Sequence, residues 1–206
     1  MSSLTTQFNL KTDNSGLVGT IINNPLRVGD RFFVEILMKN SDINPVGITS
    51  GAINLSFDPR SIQNIDNPFN PSDINSLLIT SNFPFGRTGI LDNTNGSITN
   101  LGGGSLPFWG IGSPLGINQL DTFSLLHFQV IGNGNSSLVL NIDLSQTGFS
   151  DGSVASYSGN QSQFIKIVQV GSSTAIPEPS TILAIVILGL GVLLSKKRNQ
   201  DNSNDS

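Results

Sequence analysis

Apolar side chains recur at every second position along much of the chain. In "DRFFVEILMK" (residues 30–39), Phe32, Val34, Ile36 and Met38 share one face of an extended strand. Arg31, Glu35 and Lys39 share the other face with Phe33 and Leu37, so that face is expected to be half covered. "GAINLSFDP" (residues 51–59) sets Ile53, Leu55 and Phe57 against Asn54 and Ser56, and ends at the turn pair Asp58-Pro59. "TFSLLHFQVI" (residues 122–131) sets Leu126, Phe128 and Val130 opposite His127 and Gln129. After it, "GNGN" (residues 132–135) reads as a turn and "SSLVLNID" (residues 136–143) as the hairpin partner. "SGLVGTII" (residues 15–22) and "FIKIVQV" (residues 164–170) predict an early and a last strand. Short strands with turn signals about ten residues apart predict an all-β, jelly-roll-like sandwich over residues 15–170. Its expected core is Phe32, Val34, Ile36, Ile53, Leu55, Phe57, Leu126, Phe128, Val130, Leu138, Leu140 and Ile142.

The pattern changes near the C-terminus. Residues 181–194 carry no charge, and only Thr181, Gly189 and Gly191 interrupt the aliphatic run. At 1.5 Å per residue this makes about 21 Å of helix, short of a hydrocarbon core of about 30 Å. By length alone the run fits a buried helix. Its flanks favour a single transmembrane helix over residues 181–195. Lys196, Lys197 and Arg198 follow directly and can snorkel to a cytoplasmic interface, with the polar remainder to residue 206 as a tail. Before the run, Pro177 and Pro179 hold residues 171–180 as an extended linker. Residues 1–14 read as an N-terminal segment ahead of the sandwich, with no charged or apolar region of a signal peptide.

Composition narrows the function classes. Only 12% of residues are charged and the formal net charge is -4, so no phosphate-binding surface and no nucleic-acid partner is expected. The absence of cysteine excludes a disulfide framework and thiolate metal sites. With His127 as the one histidine, no catalytic triad or histidine-rich zinc site is expected, and no cofactor. His127 is expected at the surface of its strand. Glu35 is the one glutamate before residue 176, and glycoside hydrolysis needs two placed carboxylates, so no catalytic residues are assigned. "DNTNGS" (residues 92–97) and "SDGS" (residues 150–153) cluster oxygen ligands without full calcium-loop spacing, so they read as turns and no metal site is assigned. Phe108, Trp109 and Tyr157 lie in turn-rich stretches and are candidates for stacking on a sugar.

The order Pro177-Glu178-Pro179, apolar run, Lys196-Lys197-Arg198 resembles the PEP-CTERM sorting signal of Gram-negative bacteria and cyanobacteria. The resemblance implies export and processing near the triplet by an integral-membrane exosortase. It also implies a place at the cell membrane with the ectodomain outside and, after processing, at the cell surface or in the extracellular matrix with exopolysaccharide. A family member carries a secretory leader. The expectation is that the start codon lies upstream of Met1, ahead of insertion by another route or a decaying gene.

The ectodomain resembles cohesin domains and the related carbohydrate-binding-module sandwiches. The likeness lies in the order: Val28-Gly29-Asp30 opening a long strand, Phe57-Asp58-Pro59 closing the next, and the strand at residues 125–130 running into a Gly-rich turn and a late Asp151-Gly152. Residues 67–119 match poorly. The resemblance implies a nine-stranded jelly roll that binds a dockerin-like protein or polysaccharide. The alternative is a catalytic or sensory membrane-anchored ectodomain, such as a polysaccharide-processing enzyme, whose site the sequence does not display.

Overall fold

The computed structural model describes residues 2–66, 69, 82–105, 116, 117, 119–158 and 161–167. They form two sheets packed face to face. The first has the order β11-β1-β3-β8-β5, with β2 also paired to β1. Its strands are β1 (Ser2–Asn14), β2 (Leu17–Ile21), β3 (Arg31–Asn40), β5 (Ile62–Asn64), β8 (Asp121–Val130) and β11 (Ala155–Ser158). The second has the order β12-β9-β4-β7-β6, with β10 also paired to β4. It comprises β4 (Ile48–Ser56), β6 (Phe85–Asp92), β7 (Ser97–Gly104), β9 (Ser136–Ile142), β10 (Gly148–Phe149) and β12 (Gln161–Ile165). Every pairing is antiparallel except that of β1 with β11.

Alternation puts the expected residues between the sheets. All the predicted core positions are buried except Ile142, which packs half-buried against them. Phe128 lies at the centre, its ring 5.9 Å from Phe32 in a stack and 5.2 Å from Phe57 edge-on. Phe57 is fixed from its backbone as well, since its N–H donates to Gly96 O at 2.7 Å. A Cβ on Gly96 would lie 2.1 Å from Phe57 O, and Gly96 has φ +67°, so this turn admits glycine.

Three expectations are corrected. Residues 2–14 belong to the sandwich as β1, which pairs with β3 from Leu4 to Thr12. Leu4, Phe8 and Leu10 turn inward, and the alternation was masked by a buried Thr6 in the row. β9 is no hairpin partner of β8. β8 is already flanked by β3 and β5, so the chain crosses to the other sheet and β9 pairs with β4 and β12. The last strand is Gln161–Ile165, earlier than residues 164–170. Strands also form within the stretch where the cohesin likeness was poor: β6 and β7 are joined by the turn at residues 92–97, as expected for "DNTNGS".

Candidate binding surfaces

Each sheet has an outer face, and the two differ chemically. On the first sheet, β1, β3 and β8 bring Lys11, Glu35 and His127 outward. Lys11 Nζ lies 2.8 Å from the Glu35 carboxylate. Asn9 Nδ2 and Thr122 Oγ1 each donate to Glu35 at 3.0 Å. Burial pushes the Glu35 pKa up, but the hydrogen bonds from Lys11, Asn9 and Thr122 together outweigh it and hold the carboxyl below its ordinary value.

His127 points away from the core, as the alternation requires, but it is not a surface residue: it is 8% exposed. Its ring stacks on Phe33 at 4.2 Å, and Nε2 lies 3.1 Å from Asp13 Oδ2. Its backbone N–H donates to Asp66 Oδ2 at 3.0 Å, and Asn64 Nδ2 donates to the same carboxylate at 2.8 Å. Burial pushes the Asp66 pKa up despite these bonds. The alternation fixed which way His127 and Phe33 face. It carried no sign that the outer face would be covered.

The outer face of the second sheet is of another character, exposed at Ser56, Thr88 and Asn100 but covered at Ala52, which is 4% exposed. Cross-strand neighbours there are Ala52 with Gly102, Asn54 with Asn141, and Ser56 with Val139. Thr88 stands beside Gly102, and Ile90 beside Thr99 on the edge strand. Thr88 Oγ1 donates to Asn100 O at 2.7 Å, and Asn100 N donates to Asn54 Oδ1 at 2.9 Å, which ties three strands together. Between its turns this face carries no ionisable residue among those described. The one cation of β6, Arg87, turns inward and is buried. It donates to Phe123 O at 3.1 Å and to Ser124 Oγ, and sits 5.0 Å from the Phe123 ring. Burial pushes its pKa down to about 10. No motif marks this surface, because Ser, Thr, Asn, Ala and Gly are common in any turn or strand.

The loops weighed for calcium are closed on themselves. Asp92 accepts from Thr94 N at 2.9 Å, Asn95 N at 3.0 Å and Asn95 Nδ2 at 2.7 Å. Asp151 accepts from Ser153 N and Oγ at 2.9 and 2.7 Å. Among the described residues, no three acidic or histidine side chains converge as metal ligands would. Tyr157 lies in β11 with its backbone opposite Ser3. Phe108, Trp109, Pro177, Glu178, Pro179, Lys196, Lys197, Arg198 and the apolar run all lie outside the described residues. Among the described residues, no helix is long and apolar enough to cross a membrane.

No family model matches the chain, and no curated protein matches it. Solved structures do. The second type II cohesin module of the ScaA adaptor scaffoldin from Acetivibrio cellulolyticus aligns over 87% of this chain and 98% of its own, at 12% identity and a TM-score of 0.51. A type II cohesin–X-dockerin complex from the same organism aligns over 82% of this chain and 100% of its own, at 12% identity and a TM-score of 0.48. A type I cohesin–dockerin complex from Clostridium thermocellum aligns over 80% and 99%, at 15% identity and a TM-score of 0.45.

Proposed function

We propose that this cohesin-like sandwich is a binding module that presents the outer face of its second sheet to a protein partner of the dockerin kind. The observation that carries the reading is the contrast between the two faces. The first sheet carries charge on its outer face, with Lys11 paired to Glu35, Asp13 beside His127, and Arg31 exposed. The second sheet leaves its outer face, between the turns, without charge among the described residues. Interface centres are depleted in charged residues, and small side chains let a partner approach the sheet closely. Five strands about 4.8 Å apart and about eight residues long give roughly 500 Å² in projection, the scale of one partner's share of a standard interface.

The test is binding of the chain to type I and type II dockerin modules and, in parallel, to extracellular polysaccharide. Asn141→Arg, opposite Asn54 on this face, is expected to weaken dockerin binding at least about 100-fold, roughly 2.7 kcal/mol. Polysaccharide binding without dockerin binding would replace the partner class. Binding unaffected by Asn141→Arg would move the site off this face.

The reading extends to placement. The C-terminal order of Pro177-Glu178-Pro179, apolar run and Lys196-Lys197-Arg198 supports export, membrane anchoring with the sandwich outside, and recognition of the triplet by an exosortase. Proline restricts the backbone to conformations close to the extended one that a protease cleft requires. In a host with exosortase, with a secretory leader added and a tag after Asp151, wild type is expected to be shortened and Glu178→Ala to stay full length. If both stay full length in the membrane fraction, the triplet acts only as a spacer before an anchor.

A further inference from the structure

Eight large apolar side chains are exposed among the described residues, and five of them gather at one end of the sandwich. Leu17 (73% exposed), Val18 and Ile21 (54%) belong to β2, the second strand of the β1–β2 hairpin. Val28 stands beside the point where Gly29 N donates to Val130 O, and Ile131 follows that residue directly. The hairpin projects through a tight turn, with Ser15 and Gly16 at positive φ and Gly16 N donating to the Asp13 carboxylate. Among the described residues, Leu17, Val18 and Ile21 stand outside the hydrophobic core.

The same end is where the described chain leaves the sandwich. Ile167 bridges Leu26 in parallel, and Leu26 N donates to Lys166 O at 2.9 Å. A groove lined by Leu10, Ile22, Pro25, Leu26, Ile165 and Lys166 runs from the base of the hairpin to this exit. From there residues 168–180 lead to the apolar run and span at most about 45 Å when fully extended.

The charge at this end is also distinctive in a chain of net charge -4. Arg27, Arg31 and Lys166 are exposed around the apolar tip. Of the acids nearby, Asp13 faces His127 and Asp58 is paired with Arg60, while Asp30 is exposed between Arg27 and Arg31, accepts from Arg27 N at 2.8 Å and offsets part of this positive charge. Exposed aliphatic side chains ringed by cations suit the boundary between acyl chains and anionic headgroups.

We propose that the β1–β2 hairpin tip, with Leu17, Val18 and Ile21, rests in the interfacial layer of the bilayer that holds the C-terminal anchor. The proposal depends on the anchor reading above.

The chain has no cysteine, so a single introduced one carries an environment-sensitive fluorophore without background. Full-length Leu17→Cys and Ile43→Cys proteins, both labelled with nitrobenzoxadiazole, would be reconstituted in vesicles of phosphatidylcholine with phosphatidylglycerol. Ile43 is 98% exposed and lies beyond the C-terminal end of β3, at the opposite end of the sandwich. Spin-labelled lipid is expected to quench the label at position 17 at least about threefold more than the label at position 43. Equal, water-like behaviour of both labels in protein that floats with the vesicles would overturn the proposal and leave the anchor intact. Protein that does not float with the vesicles would overturn both. Shielding of position 17 that grows with protein concentration and resists lipid quenching would replace the bilayer by a second copy pairing along β2.

Discussion

The Phe57–Phe128 contact gives a sharp test of how the sandwich is held together. Phe57 is 6% exposed and Phe128 fully buried, so truncating either removes a whole ring from the core. Phe57→Ala is expected to cost about 3–5 kcal/mol, through lost transfer energy and the cavity left behind. For a domain of this size each kcal/mol moves the melting temperature by about 2–4 °C, so the shift should be roughly 6–20 °C. The edge-on geometry, 84° between planes, adds a separable quantity. Leucine keeps most of the volume at either site while abolishing the ring–ring term. A double-mutant cycle with Phe57→Leu and Phe128→Leu should therefore show coupling of about 0.5–1.5 kcal/mol. Urea unfolding followed by far-ultraviolet circular dichroism on residues 1–175 would supply both numbers, with an unchanged m-value confirming that the native state is what was altered. A loss under about 1 kcal/mol for Phe57→Ala would mean that this ring is not in the core. A coupling of zero would mean that the two rings contribute only by the volume they fill.

Other outcomes follow from the same framework. Removing residues 176–206 should leave a folded, soluble domain, and aggregation of that fragment would show that residues 181–194 help to build the core. Gly96→Ala should cost roughly 1–3 kcal/mol in the same unfolding assay, because its Cβ meets the carbonyl of Phe57 and its φ disfavours a side chain. Glu35 and Asp66 should give opposite pH signatures. The folded pKa of Glu35 is lowered, so its contribution is full above the ordinary glutamate range and lost as pH falls through the folded value; Glu35→Gln should flatten that acid limb. The folded pKa of Asp66 is raised, so the fold favours its protonated form and loses stability as pH rises through that value; Asp66→Asn should compare better with wild type at pH 7 than at pH 3.

Which parts of this were legible in the sequence follows from what period-two alternation encodes. It assigns each side chain to one of two faces, and for β3, β4, β8 and β9 that was enough to pick the core. It does not state which strands are neighbours. "GNGN" has hairpin chemistry, yet a strand already paired on both edges cannot accept the next one, and that is a property of the sheet. β1 escaped notice because Thr6, an inward position, reads as polar. The uncharged outer face of the second sheet was hidden for a related reason. A surface distinguished by what it lacks has no residue to announce it, and only the register that sets Ala52 beside Gly102 and Asn54 beside Asn141 makes it a surface at all.

The pairing of β1 with β11 has a kinetic consequence. It joins Ser2 to Ala155 and Leu4 to Ser158, so the first strand to leave the ribosome meets one of its neighbours almost last. β11 and β12 follow each other in the chain but close edges of different sheets, one each. The first sheet is incomplete until β11 has been made, and the second until β12 has. If the ends were brought together directly, the loop between them would cost about 4–5 kcal/mol in chain entropy before any contact rewarded it. Topologies of this kind fold slowly. A polypeptide that delays its final closure in this way stays unfolded, and so threadable, through most of its synthesis.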